Sequence, residues 1–203
     1  MQTLSHDAYL ALRAGATVVE RDRHGEKVLL LEDGNYLKLF RRKRLISSAA
    51  WYPYAQRFAD NALILEKLAI PCPAVIATYR IPGIKRDAVL YVPLEGRSLR
   101  QIIKSGEDAS GLRTALGRFV AGLHAVGIYF RSLHLGNIVL SSSGKLGLID
   151  IADLRARKGA ISPYWRRRNL QQLYKDPHDQ AWLNADGSTD VEDAYRAAGG
   201  QGQ

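Results

Sequence analysis

Between residues 128 and 153 the side chains able to do chemistry crowd together. The stretch "IYFRSLHLGNIVL" (128–140) offers Arg131, Ser132, His134 and Asn137, and "GKLGLIDIAD" (144–153) offers Asp150 and Asp153. Two apolar runs flank "SSSGK", a turn composition, so they read as the strands of a hairpin. Asn137 begins the first run and Asp150 ends the second, which brings an amide and a carboxylate side by side. Ser132 can hydrogen-bond a reacting group, but a hydroxyl is far too weak a base to take a proton at pH 7. Because no G-x-S-x-G elbow surrounds it, serine hydrolysis is not indicated. His134 titrates near neutrality two residues away. The other histidines, His6, His24, His124 and His178, form no H-E-x-x-H or other metal-ligand spacing and read as surface or helix positions.

The elements that must position this cluster can be read from periodicity. After a short helical start, "ATVVERD", "KVLLLED" and "YLKLF" are strands joined by Gly-containing turns. Alternation in "YLKLF" puts Lys38 on the face opposite Leu37 and Leu39. From about Pro53 to Leu68, Phe58, Ala62, Leu65 and Ala69 recur at helical spacing, and "IPCP" ends the segment. "AVIATYR" and "DAVLYVPL" are two further strands. Helices are expected in "LRQIIKSG", in "SGLRTALGRFVAGLHAVG" and in "SPYWRRRNLQQLYK", the last with Ser162 as N-cap and Pro163 in its first turn.

Composition bounds the rest. With 203 residues, 46% hydrophobic and 24% charged, the chain can form one core or two small lobes around a cleft. No apolar stretch approaches the roughly 18 to 20 residues of a spanning helix, and the N-terminus shows no basic leader before an apolar run, so a cytoplasmic location is expected. Cys72 is the single cysteine and reads as a packing residue between two prolines. The formal charge of +9 suits a polyanionic partner. Its arginines gather in two separate clusters, 41–44 and 166–168, without a recognised binding motif, which argues against nucleic acid.

The segment "LGRFVAGLHAVGIYFRSLHLGNIVL…GKLGLIDIAD" resembles the "LHxxGxxHxDLHxGNIL…LIDF" pattern of the lipopolysaccharide core (heptose and Kdo) kinases, within the protein-kinase-like fold, and among them the short toluene-tolerance-type members. The resemblance covers roughly residues 16 to 175. It implies an α+β fold of two lobes: residues 1–94, with a five-stranded antiparallel sheet and one helix, and residues 95–195, a reduced helical lobe, followed by a disordered tail, 196–203. It implies ATP and Mg²⁺, with Asn137 and Asp150 as metal ligands; both are hard oxygen donors. Lys38 would hold the nucleotide phosphates, with Asp60 or Asn61 at the position of the usual acidic partner. Backbone groups of Tyr91, Val92, Pro93 and Leu94 would contact the adenine. The implied acceptor is a lipopolysaccharide core sugar or related anionic glycolipid, with peripheral contact at the inner membrane.

Two departures from the pattern stand out. No G-x-G-x-x-G loop precedes the second strand; "RDRHGEK" stands there instead. Ser132 occupies the position of the family's catalytic aspartate. Phosphoryl transfer depends mostly on positioning and electrostatics, so the serine leaves two readings: a kinase working without its usual base, or a nucleotide-binding pseudokinase with a regulatory or scaffold role in envelope biogenesis.

Overall fold

The computed structural model describes residues 1–42, 52–107 and 109–200. Lys43 and Arg44 of the first basic cluster, and residues 201–203 of the expected tail, lie outside them. Two compact units emerge, Met1–Leu63 with Cys72–Pro93, and Ile64–Pro71 with Leu94–Gln203.

The first unit is built on a six-stranded sheet. Strand β1 (Gln2–Thr3) and helix α1 (His6–Arg13) precede β2 (Thr17–Asp22), β3 (Gly25–Leu30) and β4 (Tyr36–Arg41). Helix α2 (Tyr54–Lys67) then leads to β5 (Ala74–Ile81) and β6 (Arg86–Val92). The sheet order is β1-β5-β6-β4-β3-β2. Five of these strands are the antiparallel set expected from periodicity. The sixth, β1, is a two-residue edge strand parallel to β5, too short to leave a periodic signal, and α1 is the short helical start that precedes the first expected strand. Tyr9, Leu29, Leu37, Leu39, Ile81 and Leu90 form the core of one face. Burying each large apolar side chain contributes roughly 1.5–3 kcal/mol.

Helix α2 buries Ala55, Phe58, Ala59, Ala62 and Leu65 at spacings of three and four. It ends at Lys67, next to the expected boundary, and Ala69, which continues the apolar spacing, lies beyond it. The Ile70 N–H reaches the Leu65 carbonyl and the Ala69 N–H that of Glu66, both at 2.9 Å. This is a Schellman closure, with Ala69 at φ 54° in the left-handed position that glycine normally takes. The methyl costs about 1–2 kcal/mol there.

The second unit holds two small sheets and five helices among the described residues. Strand β7 (Gly96–Ser98), helices α3 (Leu99–Lys104) and α4 (Ser110–Ala125), and strand β8 (Ile128–Phe130) come first. The hairpin β9 (Ile138–Ser141) and β10 (Leu146–Leu148) follows, then β11 (Leu154–Ala156). Helices α5 (Pro163–Leu173), α6 (Pro177–Leu183) and α7 (Asp190–Ala197) complete it. Strands β7, β9 and β10 form one sheet, β8 and β11 the other. Ser162 and Pro163 start α5 as read from the sequence, although the serine side chain makes no capping bond. The expected tail is corrected in part: Arg196 and Ala197 are the last turn of α7, and the Gly200 N–H bonds the Tyr195 carbonyl at 2.9 Å. Helix α7 packs on α4 at Gly117, where a Cβ would stand 2.2 Å from the Val191 carbonyl oxygen. Only glycine permits that approach.

Candidate active site

The chemistry-bearing loop runs from β8 to β9, and strand pairing sets its start. Strand β8 is fully buried and pairs antiparallel with β11, Phe130 opposite Leu154. The residues just past Phe130 therefore meet those just before Leu154. Ser132 and Asp153, 21 residues apart in sequence, join through a hydrogen bond in which the serine hydroxyl donates to Oδ2 of the carboxylate at 2.5 Å. Burial raises the Asp153 pKa above its ordinary value, opposed by the Ser132 hydrogen bond and reinforced by the nearby Asp150 charge.

Side chains from three helices fix this loop. Asn169 of α5, 1% exposed, accepts the Phe130 N–H at 3.2 Å and donates to the Phe130 carbonyl at 2.5 Å, replacing a missing strand neighbour. Its Oδ1 also meets His124 Nε2 at 3.2 Å. An amide oxygen only accepts, so Nε2 carries the proton and Nδ1 accepts from the Tyr195 hydroxyl at 2.8 Å. Burial drives the His124 pKa down to about 4, with Arg166 acting in the same direction and the Asn169 bond opposing. The ring is neutral. Read from sequence as a surface or helix residue, His124 is wholly buried on α4.

Further along, Asp179 of α6, 2% exposed, accepts the Leu135 N–H at 3.0 Å. Arg100 of α3 clamps the same carboxylate through Nε and a terminal nitrogen at 2.8 and 2.7 Å, and also reaches Asp176 at 2.9 Å. The two parallel bonds make a bidentate, charge-assisted pair of fixed geometry.

Asn137 closes the loop. Its Nδ2 donates to the Ser132 carbonyl at 3.0 Å, which turns the amide so that Oδ1 remains as a donor atom for a cation. The Ile149 N–H bonds the Asn137 carbonyl at 3.0 Å, extending the β9–β10 ladder by one rung and setting Asp150 immediately past it. Asp150 is exposed and sits at φ 54°, ψ 42°. For a residue with a Cβ this backbone costs of order 1–3 kcal/mol, a strain found where a side chain must be aimed. An amide oxygen and a carboxylate at one end of a hairpin fit Mg²⁺, which takes one or two protein oxygens and fills its octahedron with water and phosphate.

Beside the Ser132–Asp153 pair lies a cavity of about 520 Å³ lined by Arg100, Arg131, Ser132, His134, Asp153 and Lys175, among others. Among the described residues, the buried side-chain polar atoms without a partner are Arg113 Nε, His134 Nδ1 and Asp153 Oδ1. The last two belong to residues of this cavity. Burial lowers the pKa of His134, assisted by Arg100, so it too is neutral at pH 7.

In the first unit, Lys38 lies on β4 between Val28 and Val89 and is 7% exposed, a buried lysine inside a sheet. Its Nζ stands 5.9 Å from the centre of the Phe40 ring. Asp60 on α2 accepts from the Tyr52 hydroxyl at 2.6 Å and from Gln56 Nε2 at 2.9 Å; the neighbouring Asn61 is buried. Tyr91 stacks on Tyr36 and tilts against Phe58 at centroid distances of 5.8 and 5.1 Å. Val92 ends β6 and is 45% exposed, and Pro93 and Leu94 follow it.

The family model described as the lipopolysaccharide kinase (Kdo/WaaP) family matches residues 13–195. The chain belongs to that family. The match includes both units and every candidate residue named above. Two solved structures of WbdD are similar to this member of the lipopolysaccharide kinase family. One, described as the bifunctional kinase-methyltransferase, shares 15% identity over 84% of this chain and 46% of its own, with a TM-score of 0.46. The other, a co-crystal with the kinase inhibitor LY294002, shares 17% over 67% and 32%, with a TM-score of 0.42. The chain thus spans less than half the length of either. A comparison with curated proteins gave no match.

Proposed function

We propose that the chain is an ATP- and Mg²⁺-dependent phosphotransferase acting on a hydroxyl of a lipopolysaccharide core sugar or a related anionic glycolipid. The observation that carries this reading is the loop and hairpin of the second unit. Asn137 and a strained Asp150 stand at one end of β9–β10, and the loop they close is held from three helices.

Asn137 and Asp150 would hold the metal, which supplies charge neutralisation at the nucleotide phosphates. Lys38 would hold those phosphates as a point charge, and the backbone of residues 91–94 the adenine. Ser132 faces the acceptor hydroxyl. Arg131 and Lys175 line the cavity beside it and suit an acceptor carrying carboxylate or phosphate. Residues 154–175 contain seven Arg or Lys and no Asp or Glu, which supports a cytoplasmic protein resting against the anionic inner-membrane surface. No described helix is long and apolar enough to cross a membrane.

Transfer of labelled γ-phosphate from ATP to purified lipopolysaccharide core, lost in Asp150→Ala, tests the proposal. Ser132 favours a second reading, a pseudokinase that binds nucleotide and regulates or scaffolds. Nucleotide binding without transfer to any core sugar would select it.

A further inference from the structure

The loop lacks the carboxylate that would receive the acceptor's proton, yet a carboxylate from another element is hydrogen-bonded to the serine in its place. Resting on the phosphotransferase reading above, we propose that Asp153 supplies the missing proton acceptor through the Ser132 hydroxyl, the pair forming a two-step relay. Three observations converge on it. The Ser132 hydroxyl donates to Asp153 Oδ2 at 2.5 Å, so the serine proton already points at its destination. The serine oxygen keeps lone pairs to accept a second hydrogen bond, and both residues line the cavity that would hold the acceptor. The pairing is set by β8–β11 register rather than by a mobile side chain, because Phe130 lies opposite Leu154 and is locked by Asn169.

In the transfer step the acceptor oxygen forms its bond to the γ-phosphorus while the bond from that phosphorus to the bridging oxygen breaks. ADP leaves with the electron pair. The acceptor proton passes to Ser132 Oγ as the serine's own proton passes to Asp153 Oδ2, and Asp153 returns it to solvent after product release. Ser132 touches the acceptor; Asp153 acts through it. The charged and titratable groups around the pair are Asp150, Arg131, Arg100, His134, Lys175 and Asp176. Arg131 favours the ionised carboxylate, whereas burial favours the proton, which strengthens Asp153 as a base.

An exchange of the two residues separates this relay from a structural hydrogen bond. The assay uses the full chain, MgATP and purified lipopolysaccharide, with melting temperature and MgATP affinity measured on every variant. Asp153→Asn keeps an acceptor for the serine hydroxyl but cannot take a proton. Its kcat should fall by about 10²–10⁴-fold, with the KM for ATP within about threefold. Ser132→Ala should lose as much, and it decides the matter if Asp153→Asn fails to fold. Ser132→Asp alone sets two carboxylates against each other and should stay poor, whereas Ser132→Asp combined with Asp153→Ser should recover most of the wild-type rate.

Unchanged kcat in Asp153→Asn or Ser132→Ala overturns the relay, as does a Ser132→Asp single variant as active as the exchange. Phosphoserine at position 132 in peptide mass spectra also overturns it, because the pair would then activate the serine itself. A wild type that transfers nothing overturns the phosphotransferase reading and the relay together; a wild type that transfers while Asp153→Asn is unaffected overturns the relay alone.

Discussion

Lys38 and the 131–137 loop achieve rigidity by opposite means. Lys38 is placed by strand register: β4 is flanked on both sides, and the lysine lies opposite Val28 on β3 and Val89 on β6. Asp60 on α2 likewise pairs locally, with Gln56 one helical turn away. The loop has almost no ladder of its own. It is held at Phe130 by Asn169, 39 residues on, and at Leu135 by Asp179, 44 residues on. A site residue on a strand inherits its position from the sheet, whereas one on a loop depends on side chains that do no chemistry. The second kind of site should break from a distance.

The largest effect is expected at Asp179. Asp179→Ala leaves Arg100 without its buried partner and the Leu135 N–H without an acceptor, and should cost about 3–5 kcal/mol in urea unfolding. Next comes acidity. The His124 value of about 4 in the fold, against 6.5 for a free imidazole, means that the unfolded chain takes up a proton that the folded chain refuses. Its contribution is complete above pH 6.5 and is lost as pH falls toward 4. Stability should drop by up to roughly 3 kcal/mol across that window, and His124→Gln should flatten the slope. Asn169→Ala removes both bonds to Phe130 and should cost about 2–3 kcal/mol, with loss of transfer beyond what stability explains. The smallest effect belongs to Asp60→Ala, about 0.5–1.5 kcal/mol, because its partners are local and partly exposed. A tenfold loss of MgATP affinity in that variant would show that Asp60 also serves Lys38 and would erase the contrast.

This contrast also governs what could be read from the chain beforehand. Lys38 was legible because "YLKLF" alternates, and the Asn137–Asp150 hairpin because apolar runs flank a turn. Strands β1, β7, β8 and β11 were not, at two or three residues each. Asp153 stood in plain view as a spare carboxylate, but its direction depends on the pairing of β8 with β11. Arg100, Asn169 and Asp179 carry no local signature, because their bonds span 39 to 79 residues. Ala69 shows the limit of spacing as a signal: it continues the helical period and yet adopts the left-handed turn that ends the helix.

Thermal unfolding with and without millimolar MgATP, on the wild type and on Asp150→Ala, tests the central claim most directly. A ligand bound only by the folded chain must raise its stability, by about 2.7 kcal/mol at a hundred times Kd. The account predicts a rise in Tm for the wild type that disappears with EDTA and in Asp150→Ala. An unchanged Tm for the wild type, or an equal rise in the variant, would contradict it.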